Sequence, residues 1–282
     1  MTWGLQVQPG LLAVNRMYIL KKLILLFLLG AALAGCGEDA NRSSKIVVAT
    51  DATLVPMSFI NDRNQLDGFE IDLMRAVAQE AGLEMEMINV EWAGLLGGVL
   101  THKFNAAISS ITILAERQKK MAFSIPYLKS GLSIVVKKNT QGVNTLQDLQ
   151  SKNLKVGAQR GTTAYFFLQE IPGLRPIGYD LYGHAVLDLI KGEVDAVVGE
   201  STATLYYKNN DNAIFEKIKM VGEILTDEHY GIVMRQQDTQ LIEAVNRALK
   251  TLLENGTVVK LHEQWDLGRA AVVPTLRQPD QP

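Results

Sequence analysis

From Ser109 to Lys120 the chain reads SSITILAERQKK, with hydroxyls at 109, 110 and 112 and an arginine at 117, directly behind the apolar run NAAI. These residue types allow two chemistries. Ser and Thr can start a helix by accepting hydrogen bonds from its first free N–H groups, with Glu116 and Arg117 left to pair on a solvated face. Alternatively, hydroxyls at the end of a buried run and a guanidinium just beyond it can serve a carboxylate, because the arginine fork donates two parallel hydrogen bonds and keeps its charge at every relevant pH.

Other chemistries lack their residues. The sequence has no GxxxxGK[ST], GxGxxG or HExxH and only one cysteine. Nucleotide hydrolysis, dinucleotide binding and zinc-protease chemistry therefore have no support. His102, His184, His229 and His262 have no metal-ligand spacing, and neither a metal nor a cofactor is expected. A net charge of −2 with no basic stripe argues against nucleic acid as a partner.

The elements that must position these side chains begin after a targeting segment. Met17 to Ala34 reads MYILKKLILLFLLGAALA, two lysines followed by an apolar stretch shorter than the ~20 residues that span a bilayer. It reads as an export signal ending in the small residues of LAGC. LAGC resembles the lipobox of bacterial lipoproteins, which makes Cys36 the lipidated first residue of the mature chain. We expect residues 1–35 to be the signal peptide, with Met17 the true start, and residues 36–44 (CGEDANRSS) a lipidated tether. A single cysteine allows no internal disulfide.

From Ile46 the pattern alternates strand and helix. KIVVAT reads as a strand, and in DGFEIDLMRAVAQEAG the residues Phe69, Leu73, Val77 and Ala81 recur at helical spacing before a stop at Gly82. MEMINV and NAAIS are further strands around the helical WAGLLGGVLTHK. A second series runs from LKVGA through YFFLQEI and AVLDLIKG to DAVVGE, and DTQLIEAVNRALKTLLENG forms a last helix with Leu241, Val245, Ala248 and Leu252 on one side. Such alternation argues an α/β protein with mostly parallel sheets. A shift of 90 residues lays LTHKFNAAISS on IKGEVDAVVGE and Ser110 on Glu200. Ligands bind beyond the carboxyl ends of strands in open α/β sheets, so the echo predicts two similar lobes with a cleft between them.

The segments ATDATLVPMSF, LDGFEIDLMRAVA, FNAAISSITILAERQKKMAFSIPY, VGAQRGTTA, GEVDAVVGE, YGIVMR and LLENGTVVKLHEQW follow one another between about Lys45 and Gly268. In that order and spacing they resemble the extracellular solute-binding proteins of ABC importers of polar amino acids. The resemblance implies a two-lobed periplasmic-binding-protein-like fold that captures a free amino acid and delivers it to permease subunits. It would do so as a monomer held by its lipid anchor at the periplasmic or cell-surface face of a bacterial membrane. It implies that Arg117 holds the ligand carboxylate and that Ser110 and Thr112 bind the amino acid. Main-chain N–H groups at Thr162 and Thr163 would meet the carboxylate, and Glu200 would pair with the ammonium. Asp51 falls where some basic and amide binders contact the ligand side chain, although Asp is also common in turns. Trp92 would be the aromatic wall, since Leu54 stands where an aromatic is frequent. Glu200 is one methylene longer than the Asp of many relatives, and Leu114 replaces a frequent capping Thr.

The boundaries follow: one lobe of residues 45–135 plus 227–268, a second of 136–226, crossings near Val136 and Thr226, and a disordered tail over 269–282. A basic or amide side chain is favoured. The alternative is an exported prephenate or arogenate dehydratase on the same fold, with Glu200 as general acid. A sensing domain would need a membrane span after Gly268, where only RAAVVPTLRQPDQP follows.

Overall fold

The computed structural model describes residues 45–203, 214 and 216–275. The signal, the lipidation site and the tether lie outside the described residues. Along the chain run β1 (Ile46–Thr50), β2 (Thr53–Leu54), β3 (Ser58–Ile60), β4 (Leu66–Asp67), α1 (Phe69–Ala81), β5 (Met85–Asn89), α2 (Trp92–Leu100), β6 (Ala106–Ala107), α3 (Ala115–Gln118), β7 (Ala122–Phe123) and β8 (Leu128–Ser130). There follow β9 (Leu132–Lys137), α4 (Leu146–Ser151), β10 (Val156–Gln159), α5 (Thr163–Gln169), β11 (Ile177–Tyr179), α6 (Tyr182–Lys191), β12 (Ala196–Glu200), β13 (Ile218–Val221), β14 (Glu228–Tyr230), β15 (Val233–Met234), α7 (Thr239–Glu254) and α8 (Thr257–Gln264).

Two five-stranded sheets carry the architecture, ordered β5-β1-β6-β15-β7 and β11-β10-β12-β9-β13. Their plans correspond strand for strand. In each, the first three strands are parallel, and the fourth and fifth add antiparallel pairings. The echo at 90 residues is therefore structural: NAAIS contributes β6 and DAVVGE contributes β12, and both sit at the centre of their sheets. The sheets are mixed rather than mostly parallel. A strand that returns from the other half of the molecule enters beside β6 or β12 running the opposite way, and its buried apolar sequence reads the same in either direction.

Strand alternation divides each core in two. Val48 packs with α1 and α7 residues such as Leu73, Val77, Val245 and Leu249, whereas its neighbour Ala49 packs with Leu95 and Val99 of α2. In the second sheet Val136 and Val198 face Leu149 and Leu168, and Val135 and Val197 face Ala185 and Leu189 of α6. α1 ends where the sequence predicts, at Gly82 with φ 65°, where Leu83 N–H closes on the Ala78 carbonyl at 2.9 Å.

The chain passes between the sheets at Gly131, because β9 already belongs to the second sheet from Leu132. Val136, the expected crossing, lies inside that strand and pairs with Ala196 and Lys219. The return passes through Thr226, whose hydroxyl accepts from Leu132 N–H at 2.9 Å, and β14 then pairs with β8. The start of the tail is also ordered: Val272 exchanges two main-chain hydrogen bonds of 2.7 Å with Lys129, and the Ala270 carbonyl accepts from the hydroxyls of Ser130 and Ser201. Sequence periodicity is blind to such a single bridge.

Candidate functional site

The loops beyond β1, β6, β10 and β12 converge on one cavity. Asp51, Thr53, Leu54, Trp92, Ser109, Ser110, Gln159, Thr162, Thr163, Tyr182 and Glu200 line it. Six of the eight ligand-site residues expected from the sequence are among them: Asp51, Trp92, Ser110, Thr162, Thr163 and Glu200. The other two, Thr112 and Arg117, stand beside that lining. Thr112 accepts a hydrogen bond from the Thr163 hydroxyl at 3.1 Å, a contact that joins the loops of the two sheets across the cleft. The half-buried Arg117 donates to the Thr112 carbonyl at 2.9 Å and lies 5.9 Å from the centre of the Trp92 ring. Burial lowers its pKa, and Glu200 and Glu228 oppose that shift. The guanidinium is thus within electrostatic reach of both acids.

The three hydroxyls are not spent on capping. α3 has only four residues, and its N-cap Leu114 makes no side-chain cap bond. Ser109 binds the Asp51 main chain, accepting from its N–H at 3.1 Å. Ser110 donates its N–H to Glu70 at 2.5 Å and its hydroxyl to the same oxygen at 3.2 Å. Thr112 donates to Glu228 at 2.6 Å. Glu116 pairs with Lys119 rather than with Arg117.

Three of the acids around the cleft are displaced from ordinary carboxylate behaviour. Burial pushes Glu200 well above the usual range, and the Glu228 charge adds to this, while the Tyr230 hydroxyl, donating at 2.5 Å, and Arg117 pull the other way. Asp51 is raised by burial, then lowered by the Thr53 side chain and the Trp92 N–H, and raised again by Glu91. Its contact with Trp92 places the acid at the start of α2, so Asp51 is at once a turn residue and a cavity wall. Glu70 is raised by burial against the donors of Tyr127, Ser110 and Ser58.

The second lobe meets the cavity through the turn before α5. Gly161 sits at φ +74°, and a Cβ there would stand 3.4 Å from Trp92 Nε1, so the turn takes the left-handed conformation and approaches the indole closely. Thr162 caps α5, accepting from Tyr165 N–H and donating to the Gln159 carbonyl at 2.7 Å.

Glu70, Tyr127, Glu228 and Tyr230 escaped sequence reading. Glu70 had a detectable signal: it lies on the face of α1 that also carries Leu73, Met74 and Val77, and an acid on a buried face needs partners. Glu228 and Tyr230 alternate with the more exposed His229 and so share a face of β14.

A family model described as bacterial extracellular solute-binding proteins, family 3, matches residues 46–268. ABC transporter arginine-binding protein 1 of Escherichia coli is 30% identical over 253 residues, covering 87% of this chain and 99% of that protein. L-cystine-binding protein TcyJ of the same organism is 31% identical over 233 residues, 82% of this chain and 86% of its own. An ancestral arginine-binding protein bound to arginine superposes with a TM-score of 0.72 at 35% identity, covering 78% of this chain and 97% of that one. These relatives are binding proteins, not dehydratases. With the two-sheet architecture and the shared cleft, the match over 46–268 establishes that the chain belongs to the bacterial extracellular solute-binding proteins, family 3.

Proposed function

We propose that the protein captures a cationic amino acid and delivers it to the permease of an ABC importer. The observation that carries this reading is the charge of the cleft: Asp51 and Glu200 in the wall and Glu228 behind Thr112, against the single guanidinium of Arg117. The backbone charges of an amino acid use Arg117 for the carboxylate and Glu200 for the ammonium, each pair formed away from water. Asp51 is then left over. A guanidinium or ammonium at the end of the ligand side chain neutralises it, whereas an apolar side chain leaves it buried without a counter-charge, held only by the Thr53 side chain and the Trp92 N–H. Thr162 and Thr163 add donors to the carboxylate, and Trp92 covers the ligand with its ring.

Thermal-shift and calorimetric titration of refolded, ligand-free protein against all twenty amino acids tests the reading. Arginine or lysine should give the largest stabilisation, since a ligand at 100 times its Kd adds about 2.7 kcal/mol. Tighter binding of a neutral aliphatic amino acid would overturn it. Asp51→Asn should weaken arginine by about one decade and leave glutamine within about threefold, as expected when a charge-assisted hydrogen bond of about 1.5 kcal/mol is lost. Equal losses for both ligands would return Asp51 to its turn.

Rigid-body closure of residues 45–130 plus 227–268 onto residues 132–226 accompanies capture, with the bending at Gly131 and Thr226. The protein acts as a monomer anchored through a lipid on Cys36, whose LAGC context carries that part of the reading. In cells fed a labelled fatty acid, Cys36→Ser should lose the label and leave the detergent phase. Identical partitioning of wild type and variant would rule the anchor out.

A further inference from the structure

We propose that Glu70, which does not line the cleft, is a positioning residue for ligand capture: it holds Ser110 in the backbone conformation that the site requires. This inference rests on the cleft being the amino-acid site. Glu70 is fully buried in α1, forty residues from Ser110 in sequence. Its Oε1 accepts the Ser110 N–H at 2.5 Å, the Ser110 hydroxyl at 3.2 Å and the Tyr127 hydroxyl, while Oε2 accepts Ser58 at 2.8 Å.

Ser110 has φ 47°, a left-handed conformation that a serine does not adopt without compensation. The Glu70 carboxylate supplies that compensation by taking both of the residue's donors. A consequence follows for the ligand. With N–H and hydroxyl turned to Glu70, Ser110 has its main-chain carbonyl to offer the cleft that it lines. A carbonyl is an acceptor, and it suits the ammonium of the ligand rather than its carboxylate. Of the backbone and hydroxyl groups through which the resemblance has Ser110 and Thr112 bind the ligand, Ser110 thus keeps its main-chain carbonyl.

The arrangement also ties the site to the crossing strands. Tyr127, just before β8, packs its ring 6.2 Å from that of Tyr230, and Tyr230 donates to Glu200. The two carboxylates on either side of the cleft are thus each held by a tyrosine from the segments that pass between the lobes.

Glu70→Gln keeps the shape and one carbonyl oxygen for the Ser110 N–H but removes the charge, and Glu70→Leu removes every acceptor. In ligand-free protein, the Ser110 amide proton of the wild type should resonate far downfield, as a short bond to a carboxylate requires, and move upfield in Glu70→Gln. In titrations with arginine, lysine, glutamine and cystine, the best wild-type ligand should bind at least tenfold more weakly to Glu70→Gln. Glu70→Leu, if it folds, should lose more. An unshifted Ser110 amide, or wild-type affinity in Glu70→Gln, overturns the inference. If wild type binds none of these ligands, the cationic reading fails, while the amide resonance still decides whether Glu70 holds Ser110.

Discussion

Arg117→Ala should bind arginine two to three and a half decades more weakly than wild type, with its fold intact. Removing one partner of a buried charge pair leaves the other desolvated and costs about 3 to 5 kcal/mol, and each 1.4 kcal/mol is a decade in Kd. The fold should survive because Arg117 is half-buried and its direct contacts run to the Thr112 carbonyl and the Trp92 ring on its own lobe, with Glu200 and Glu228 reached only through space. Arg117→Lys separates charge from shape. A lysine keeps the cation but not the planar fork or the stacking on Trp92, so it should restore only part of the affinity. Calorimetric titration with arginine beside circular dichroism checks both variants. A loss below one decade in Arg117→Ala would make the arginine a tie between Thr112 and Trp92 and nothing more.

The sequence carried the local half of this architecture. The helical spacing of Phe69, Leu73 and Val77 and the stop at Gly82 are decided by neighbours a few residues away, and the structure has them. So is the strand-helix alternation. The 90-residue echo reached further, because β6 and β12 occupy equivalent places and therefore met the same packing demands. What escaped was set by pairing at long range. β9 and β15 enter their sheets antiparallel, and a short buried apolar run carries no mark of direction. Glu70 meets Ser110 across forty residues, and Thr112 meets Glu228 across 116. No window on the chain contains both partners.

The candidate site shows the same division. Its residues were legible as types, since an arginine, hydroxyls and acids at strand ends are what a zwitterion needs. Their second contacts were not. Nothing near Ser110 in the sequence shows that its hydroxyl faces Glu70. Leu114 was the reverse case. The missing Thr argued against a capped helix, and α3 indeed starts without a side-chain cap.

Arginine affinity should rise with pH and then level off, and Glu200→Gln should reduce the slope to the part that Asp51 sets while weakening binding by at least one decade. The groups that set the Glu200 proton are identified: burial and Glu228 hold it on, the Tyr230 hydroxyl and Arg117 draw it off, and Asp51 lines the same cavity. With its pKa raised well above the ordinary 4.5, ligand-free Glu200 keeps its proton at pH values where an exposed glutamate has lost it. An arriving ammonium needs the ionised form. Binding below the folded pKa must therefore expel a proton, at up to about one decade of affinity for each pH unit, and above it the cost vanishes. Stability moves oppositely. A carboxyl whose folded pKa exceeds its unfolded value binds more protons when folded, so its contribution is complete below the unfolded pKa and is lost as pH rises through the folded one. The bound ammonium replaces the lost proton, so the melting temperatures of free and arginine-bound protein should diverge as pH rises. The loss in Glu200→Gln follows from a charge-assisted hydrogen bond of about 1.5 to 3 kcal/mol, or about one to two decades. Calorimetry in two buffers of different ionisation enthalpy reads the released proton directly. A wild type that binds arginine equally tightly at every pH above 4.5, without proton release, would show that the ammonium is held elsewhere.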